Sequence, residues 1–222
     1  MKIICTTSDK YLHLLPVFSY LFNKYWPGQE AEVVGYRQPH DLPENFSFHS
    51  MGTQGHVSEW STDLRKYFET QETGFIWLME DTFLKAPVDN ANLELSYAIL
   101  NDHVGRIDLT CDLLKRDHES LGYGYTAAKP GTKYRQSTQP SIWNKEFLLK
   151  YLTDGLDPWQ FETQATDDEY MIVGLETKTI FHNEGVRRFD PFKLDLKGMD
   201  KEDINHIKKI FPKRFQSLEG GY

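Results

Sequence analysis

The chain has 222 residues, 39% hydrophobic and 14% aromatic, which suits one α/β domain with a substantial core and excludes disorder over most of its length. A net charge of −8 argues against general nucleic-acid binding, because a phosphate backbone is held mainly by Lys and Arg. Cys5 and Cys111 each sit in an apolar run and read as buried free thiols, neither a disulfide framework nor a C-x-x-C site, so a cytoplasmic compartment is the expectation.

Lys2–Thr7 reads as a short buried strand, too brief and too soon polar for a signal peptide. Ser8 and Asp9 are N-cap residue types ahead of an amphipathic stretch from Tyr11 to Trp26, where Pro16 predicts a kink or a late helix start. Pro27-Gly28 ends that stretch. Strands are expected at Ala31–Tyr36 and Phe46–Met51, then a helix from Trp60-Ser61 to about Thr70 with Ser61 as its cap. Phe75–Met79 is a continuous apolar run, the mark of a strand buried on both faces, and it ends in Glu80-Asp81-Thr82. Beyond it the pattern predicts a helix over Asp89–Asn101, a strand over Arg106–Leu113, a loop from Gly122 to Lys133, and one or two strands within Tyr134–Trp143. A short helix at Lys145–Thr153, a longer one at Glu162–Leu175, a last strand at Thr177–Phe181 and a helix over Lys201–Ile210 complete the reading. The basic residues Lys208-Lys209 through Lys213-Arg214 read as a solvated helix face. Residues 216–222 are expected to fray, leaving one domain over residues 1–215. Nowhere does an apolar run approach the ~20 residues of a membrane span.

Strands alternating with helices predict an α/β fold with a mostly parallel central sheet flanked by helices. Neither G-x-x-x-x-G-K-[ST] nor G-x-G-x-x-G occurs, so a phosphate-cradling glycine loop is not expected. Ligands of open α/β sheets bind beyond the carboxyl ends of the strands, which is where Glu80 and Asp81 stand. Two adjacent carboxylates suit a hard divalent cation that bridges to phosphate oxygens. They equally suit a strand-end turn in which Asp81 accepts from backbone N–H groups, and on the residues alone both readings stay open. There is no G-x-S-x-G elbow, and Cys111 lacks a catalytic histidine in its sequence context.

Trp60-Ser61-Thr62-Asp63-Leu64, followed by Phe75 through Leu84 and then Pro87-Val88-Asp89, resembles GT-A glycosyltransferases, in which a W-S-x-x-L helix leads into a hydrophobic strand ending in a D-D, E-D-D or D-x-D motif. Gln139-Pro140-Ser141-Ile142-Trp143-Asn144 and on to Leu152 is similar to the acceptor-side segment of bacterial and phage proteins of this kind. Pro158-Trp159-Gln160-Phe161-Glu162 is similar to their P-W-x-F-E. The resemblance runs from Lys2 to about Arg188. It implies a Rossmann-like nucleotide-diphospho-sugar transferase domain, a nucleotide-diphosphate sugar donor, a glycan or other hydroxyl acceptor in polysaccharide assembly, no nucleic-acid partner, and a monomer or homodimer.

What the resemblance implies for single residues follows its motifs. Thr6, Thr7, Ser8 and Asp9 would meet the base and ribose, with helix capping as the alternative for Ser8 and Asp9. Glu80 and Asp81 would manage the leaving diphosphate, with Mn2+ or Mg2+ held by Asp81 and completed by His182. Thr82 stands where E-D-D members carry a second Asp, so the metal depends on Asp81 being its ligand. Arg65, one helical turn beyond Ser61, would reach the diphosphate or else be a plain surface arginine, and Arg188 would meet the diphosphate. Glu162 is the candidate general base of an inverting transfer, with Asp167 and Asp168 in reserve; its alternative is a favourable charge at a helix start. Trp143 and Trp159 would line the acceptor pocket, or else belong to the core. Two further readings stand beside the transferase: a GT-A-like module that binds a sugar or nucleotide without turnover, and a carboxylate-dependent hydrolase.

Overall fold

Alternation along the Phe75–Met79 strand divides its side chains between two cores. Ile76 and Leu78 join one cluster, while Phe75 and Trp77 join the other. The computed structural model describes residues 1–164, 166, 168–176, 179–184, 194, 196 and 198–211. Arg188, Asp167, Thr177, Lys213-Arg214 and the 216–222 tail therefore lie outside the described residues.

In chain order the strands are β1 (Ile3–Thr6), β2 (Ala31–Gly35), β3 (Phe46–Ser50), β4 (Phe75–Met79), β5 (Phe83–Leu84), β6 (Val104–Asp108), β7 (His118–Gly122), β8 (Tyr125–Ala128), β9 (Ser141–Trp143), β10 (Met171–Leu175) and β11 (Asn183–Glu184). The helices are α1 (Leu15–Tyr25), α2 (Trp60–Glu69), α3 (Asn90–Ala98), α4 (Lys145–Tyr151), α5 (Pro158–Thr163) and α6 (Lys201–Ile210). A nine-stranded sheet runs in the order β3-β2-β1-β4-β9-β6-β10-β8-β7, and β5 pairs with β11 in a separate ribbon. Strands β3, β2, β1 and β4 are parallel, as are β6 and β10. Only β9 and β8 run against the common direction. The fold is thus α/β with a mostly parallel central sheet. One core packs α1, α3 and α6 against the sheet through Phe18, Phe22, Leu93 and Ile207; the other packs α2, α4 and α5 through Leu64, Phe68, Phe147 and Phe161. Among the described residues no helix is long and apolar enough to cross a membrane.

Several local expectations change for identifiable reasons. The awkward Pro16 falls in the first turn of α1, where a missing N–H costs nothing, so the helix simply starts late. Ser8 and Asp9 do not cap it. Asp9 instead accepts from the Arg37 N–H at 3.1 Å and donates its own N–H to Gln54 at 2.8 Å. Ser61 lies inside α2, and its Oγ accepts from the Leu156 N–H at 2.8 Å. The strand expected to reach Leu113 ends at Asp108, whose carboxylate takes the N–H groups of Thr110 and Leu113 and folds the chain into a turn. This turn carries Cys111, which is half-buried and not in a strand, whereas Cys5 is fully buried on β1. The expected loop from Gly122 to Lys133 contains the turn of the β7–β8 hairpin, at Gly122, Tyr123 and Gly124, all at positive φ, and the whole of β8.

The long helix expected at Glu162–Leu175 is two elements. Asp157 and Gln160 form a capping box and Pro158 sits in the first turn, which starts α5 four residues earlier than expected. That helix ends at Thr163, and the β-branched run inside Met171–Leu175 becomes β10. Residues 179–181 are not a strand; the N–H groups of Ile180 and Phe181 both donate to the Leu109 carbonyl.

Candidate active-site cleft

The carboxyl ends of β1, β2, β3 and β4 open on one edge of the sheet, and a cleft of about 560 Å³ lies there. Thr6, Thr7 and Ser8 from the end of β1 and Met79, Glu80 and Asp81 from the end of β4 line it. The opposite wall comes from Trp60 and Leu64 of α2, Thr138, and Pro158, Trp159 and Glu162 of α5. Close approach is built in: a Cβ on Gly35 would lie 2.8 Å from Thr7 Cγ2, so only glycine lets the ends of β1 and β2 meet this tightly.

Glu80 is 3% exposed, and its Oε2 has no hydrogen-bond partner. Burial first, and the neighbouring Asp81 second, push its carboxyl well above the ordinary range. Asp81 keeps partial contact with solvent. Burial raises its pKa to about 6; backbone hydrogen bonding offsets part of that rise, and the charge of Glu162 adds to it. The last influence ties the two walls together electrostatically. An unpartnered buried carboxylate oxygen beside a second carboxylate is the donor chemistry a hard divalent cation accepts. Among the described residues no group of three or more His, Cys, Asp or Glu could hold a metal by itself. Such an ion at Glu80 and Asp81 would complete its shell with water and substrate phosphate. Thr82 is buried, does not line the cleft, and donates its N–H to the Met79 carbonyl at 3.0 Å.

Glu162 sits near the end of α5, not at a helix start, so a favourable macrodipole does not explain it. Its Oε1 accepts from the N–H of Thr138 at 2.6 Å and from the Thr138 hydroxyl at 2.7 Å, with Ser137 Oγ at 3.5 Å. The segment that supplies these donors is itself held: Arg106, fully buried on β6, donates to the Ser137 carbonyl, and the Tyr134 N–H donates to the Glu162 carbonyl at 3.2 Å. Glu162 therefore meets the cleft as a fixed carboxylate with one oxygen committed.

Thr6, Thr7, Ser8, Glu80, Asp81, Glu162 and Trp159 are brought together in the cleft. Trp159 is 48% exposed, as a wall residue would be. The remaining expected residues go elsewhere. Asp9 turns to Arg37 and Gln54, as described. Arg65 is a correction: its Nη1 donates to the carbonyls of Leu149 (2.6 Å) and Leu152 (3.2 Å) at the end of α4, and its Nε pairs with Glu69 at 3.1 Å. Those orphan helix carbonyls, not a diphosphate, are its partners. Trp143 is also a correction, being wholly buried between Trp77 and Phe147 in the core. His182 does not line this cleft; it lines a different hollow, with Lys85 and Cys111. Asp168 is a buried structural carboxylate paired with Arg135 at 3.2 Å and bonded by the Tyr151 hydroxyl, which leaves it no role as a base.

Lys10, Tyr36, His56, Trp60 and Thr138 line the cleft without having been assigned to it. Tyr36 and Lys10 follow the ends of β2 and β1, so the strand-end rule applied to every strand would have found them. Thr138 lies in an aperiodic loop and gave no signal.

No family model matches the chain, and no curated protein matches it. It is similar in structure to the galactosyltransferase LgtC solved with donor and acceptor sugar analogues, at 12% identity and a TM-score of 0.41 over 68% of this chain and 60% of that one. The chain thus spans about 60% of the length of LgtC. A cytidylyltransferase from Leptospira borgpetersenii serovar Hardjo-bovis is similar at 10% identity and a TM-score of 0.43, over 98% of this chain and 97% of that one. Mouse xyloside xylosyltransferase 1 in its apo form is similar at 8% identity and a TM-score of 0.43, over 73% and 79% of the two chains.

Proposed function

We propose that the protein transfers a sugar from a nucleotide-diphosphate sugar to a hydroxyl acceptor, with inversion, using Glu162 as the base. One observation carries this reading: Glu80 and Asp81 face Glu162 across a single cleft at the carboxyl edge of the parallel strands, and aromatic rings flank them. On this reading the β1 end takes the nucleoside, and Tyr36 and Trp60 offer flat surfaces to a base or sugar. Glu80 and Asp81 stand where the diphosphate would leave. A divalent cation bound by these two carboxylates, Mn2+ or Mg2+, would offset the charge of that leaving group. Glu162, fixed through Oε1 by Thr138, presents its other oxygen to the acceptor hydroxyl and takes the proton as that oxygen attacks the anomeric carbon. Trp159 packs against the acceptor. Polysaccharide assembly is the role that fits such an activity.

Thermal-shift measurements with UDP-, GDP- and CMP-sugars, with and without manganese, test the donor half. A ligand that binds the folded state raises the melting temperature as its concentration exceeds its dissociation constant. One nucleotide class is expected to stabilise, and more so with the metal. Glu162→Gln tests the chemical half: it should keep the donor-induced shift and lower turnover by about 10²–10⁴-fold. Full activity in that variant removes Glu162 as the base. A module that binds nucleotide sugars without turnover is the second reading, and it prevails if the shift appears while no sugar is ever consumed.

A further inference from the structure

The polar side chains around the β1 end of the cleft differ in what they leave for a ligand. The Thr6 hydroxyl accepts from Trp77 Nε1 at 2.8 Å and donates to Met79 Sδ at 3.1 Å, and the Thr7 hydroxyl donates to the Ser8 carbonyl at 3.3 Å. The Tyr36 hydroxyl donates to Asp63 at 3.2 Å. These groups are committed within the protein. Gln54, which lines the same cleft, is committed on one side only. Its Oε1 accepts from the Asp9 N–H at 2.8 Å, and its amide nitrogen has no partner among the described residues. A backbone N–H can be met by the amide oxygen but not by the amide nitrogen, so this bond fixes which way round the amide lies. Gln54 therefore keeps two N–H donors for a ligand. His56, on the same loop and also lining the cleft, agrees in sign: its Nδ1 accepts from the Ser58 N–H at 3.3 Å, which places the ring proton on Nε2.

The loop that carries Gln54 is anchored on both sides. The Met51 N–H donates to the Gly35 carbonyl at 2.7 Å, the Ser50 hydroxyl donates to the Tyr36 carbonyl at 2.9 Å, and His56 caps the turn that leads into α2. A donor held in this way is pre-organised for its partner. Through Asp9, Gln54 is bonded to the loop after β1, the end to which the proposed function assigns the nucleoside. We propose that Gln54 is a specificity-determining residue whose amide N–H donates to a keto oxygen of the donor's base, so that the site selects uracil or guanine over cytosine and adenine. Where guanine and uracil carry an exocyclic oxygen that accepts, adenine and cytosine carry an amino group that donates. Two donors facing each other are both left unpaired. The inference rests on the nucleotide-sugar reading and narrows it to the base.

Isothermal titration calorimetry with UDP, CDP, GDP and ADP, in the presence of manganese, tests it. UDP and CDP share their ribose and diphosphate, as do GDP and ADP, so each ratio of affinities reads the base alone. UDP should bind about tenfold more tightly than CDP, or GDP than ADP, according to whether the site takes a pyrimidine or a purine. Gln54→Met, with its fold checked by melting temperature, should bring that ratio close to one. Gln54→Glu should invert it, because a carboxylate accepts from the amino group; the ratio within one variant cancels the effect of the added charge. Equal affinity for both members of each pair in the parent protein overturns the proposal. So does a preference that survives in Gln54→Met, or a loss in that variant that is equal for all four nucleotides, which would put Gln54 on the ribose or the diphosphate. If no nucleotide binds at all, the transfer reading falls and takes this inference with it. Nucleotides that bind without regard to Gln54 leave that reading standing and remove only the inference.

Discussion

Asp81 combines two features that pull against each other: it presents a carboxylate to a partly dry cleft, and burial penalises the charge of that carboxylate. Its pKa moves from the ordinary 3.8 to about 6 for this reason. The folded protein therefore holds this proton more tightly than the unfolded chain does. The site imposes no penalty below about pH 4; as the pH rises from there through 6 the native state loses stability, and above that the loss is constant. The full shift corresponds to no more than about 3 kcal/mol, and partial contact with solvent lowers this figure. Asp81→Asn, measured with a chelator present, should accordingly raise the melting temperature at pH 8 and change it little at pH 4. Equal shifts at both values would show that charge is not the cause. If Asp81 acts as proposed, a stabilising substitution there is what a site that trades stability for function produces.

At the scale of elements, β6 and α4 meet at a point with no spare room. A Cβ on Gly105 would lie 2.5 Å from Phe147 Cγ and within 2.9 Å of two further ring atoms. Gly105→Ala should therefore cost about 1–3 kcal/mol, read as a shift of the urea midpoint with little change in slope. Because α4 is also tethered by Arg65, Arg65→Met should loosen the same helix without weakening donor binding. The elements that could be read from the chain are those with an unbroken pattern. Phe75–Met79 and Ala31–Gly35 are apolar almost throughout, and they fall where expected. The stretch from Asp157 to Leu175 misleads because between Phe161 and Tyr170 only Ala165 is apolar, so no pattern marks the break after Thr163. The Asp157-Pro158 start signal and the β-branched Ile172-Val173 were the cues that place α5 and β10. In the cleft, the β1 and β4 ends were legible because they terminate buried strands. Glu162 was legible by residue type, but its setting was not, because Thr138 and Arg106 reach it through tertiary contacts that leave no periodic trace.

Across the whole molecule, the loop that supports Glu162 is anchored far from the cleft. Arg135, 1% exposed, donates to the carbonyls of Thr166 and Tyr170 and pairs with Asp168, whose carboxylate also takes the Tyr151 hydroxyl from α4. This one ion pair thus joins the 134–138 loop, α4 and the entry to β10. Burial alone would raise the Asp168 pKa, but the Tyr151 hydrogen bond and the Arg135 charge outweigh it and hold the carboxyl below its ordinary range. Its linkage has the opposite sign to that of Asp81. The contribution is complete above the unfolded value and disappears as the pH falls through the lower folded one, so it is an acid-side loss. Asp168→Asn leaves Arg135 buried without its counter-charge and should cost about 3–5 kcal/mol at pH 7. The deficit relative to the parent protein should shrink by pH 3, where the parent loses the same interaction. Urea midpoints for both proteins at the two pH values check this. A deficit that stays constant would mean that the Asp168 charge does not contribute and that the three elements are joined by packing alone. If the deficit shrinks as expected, the Arg135–Asp168 anchor contributes to the loss of stability on the acid side.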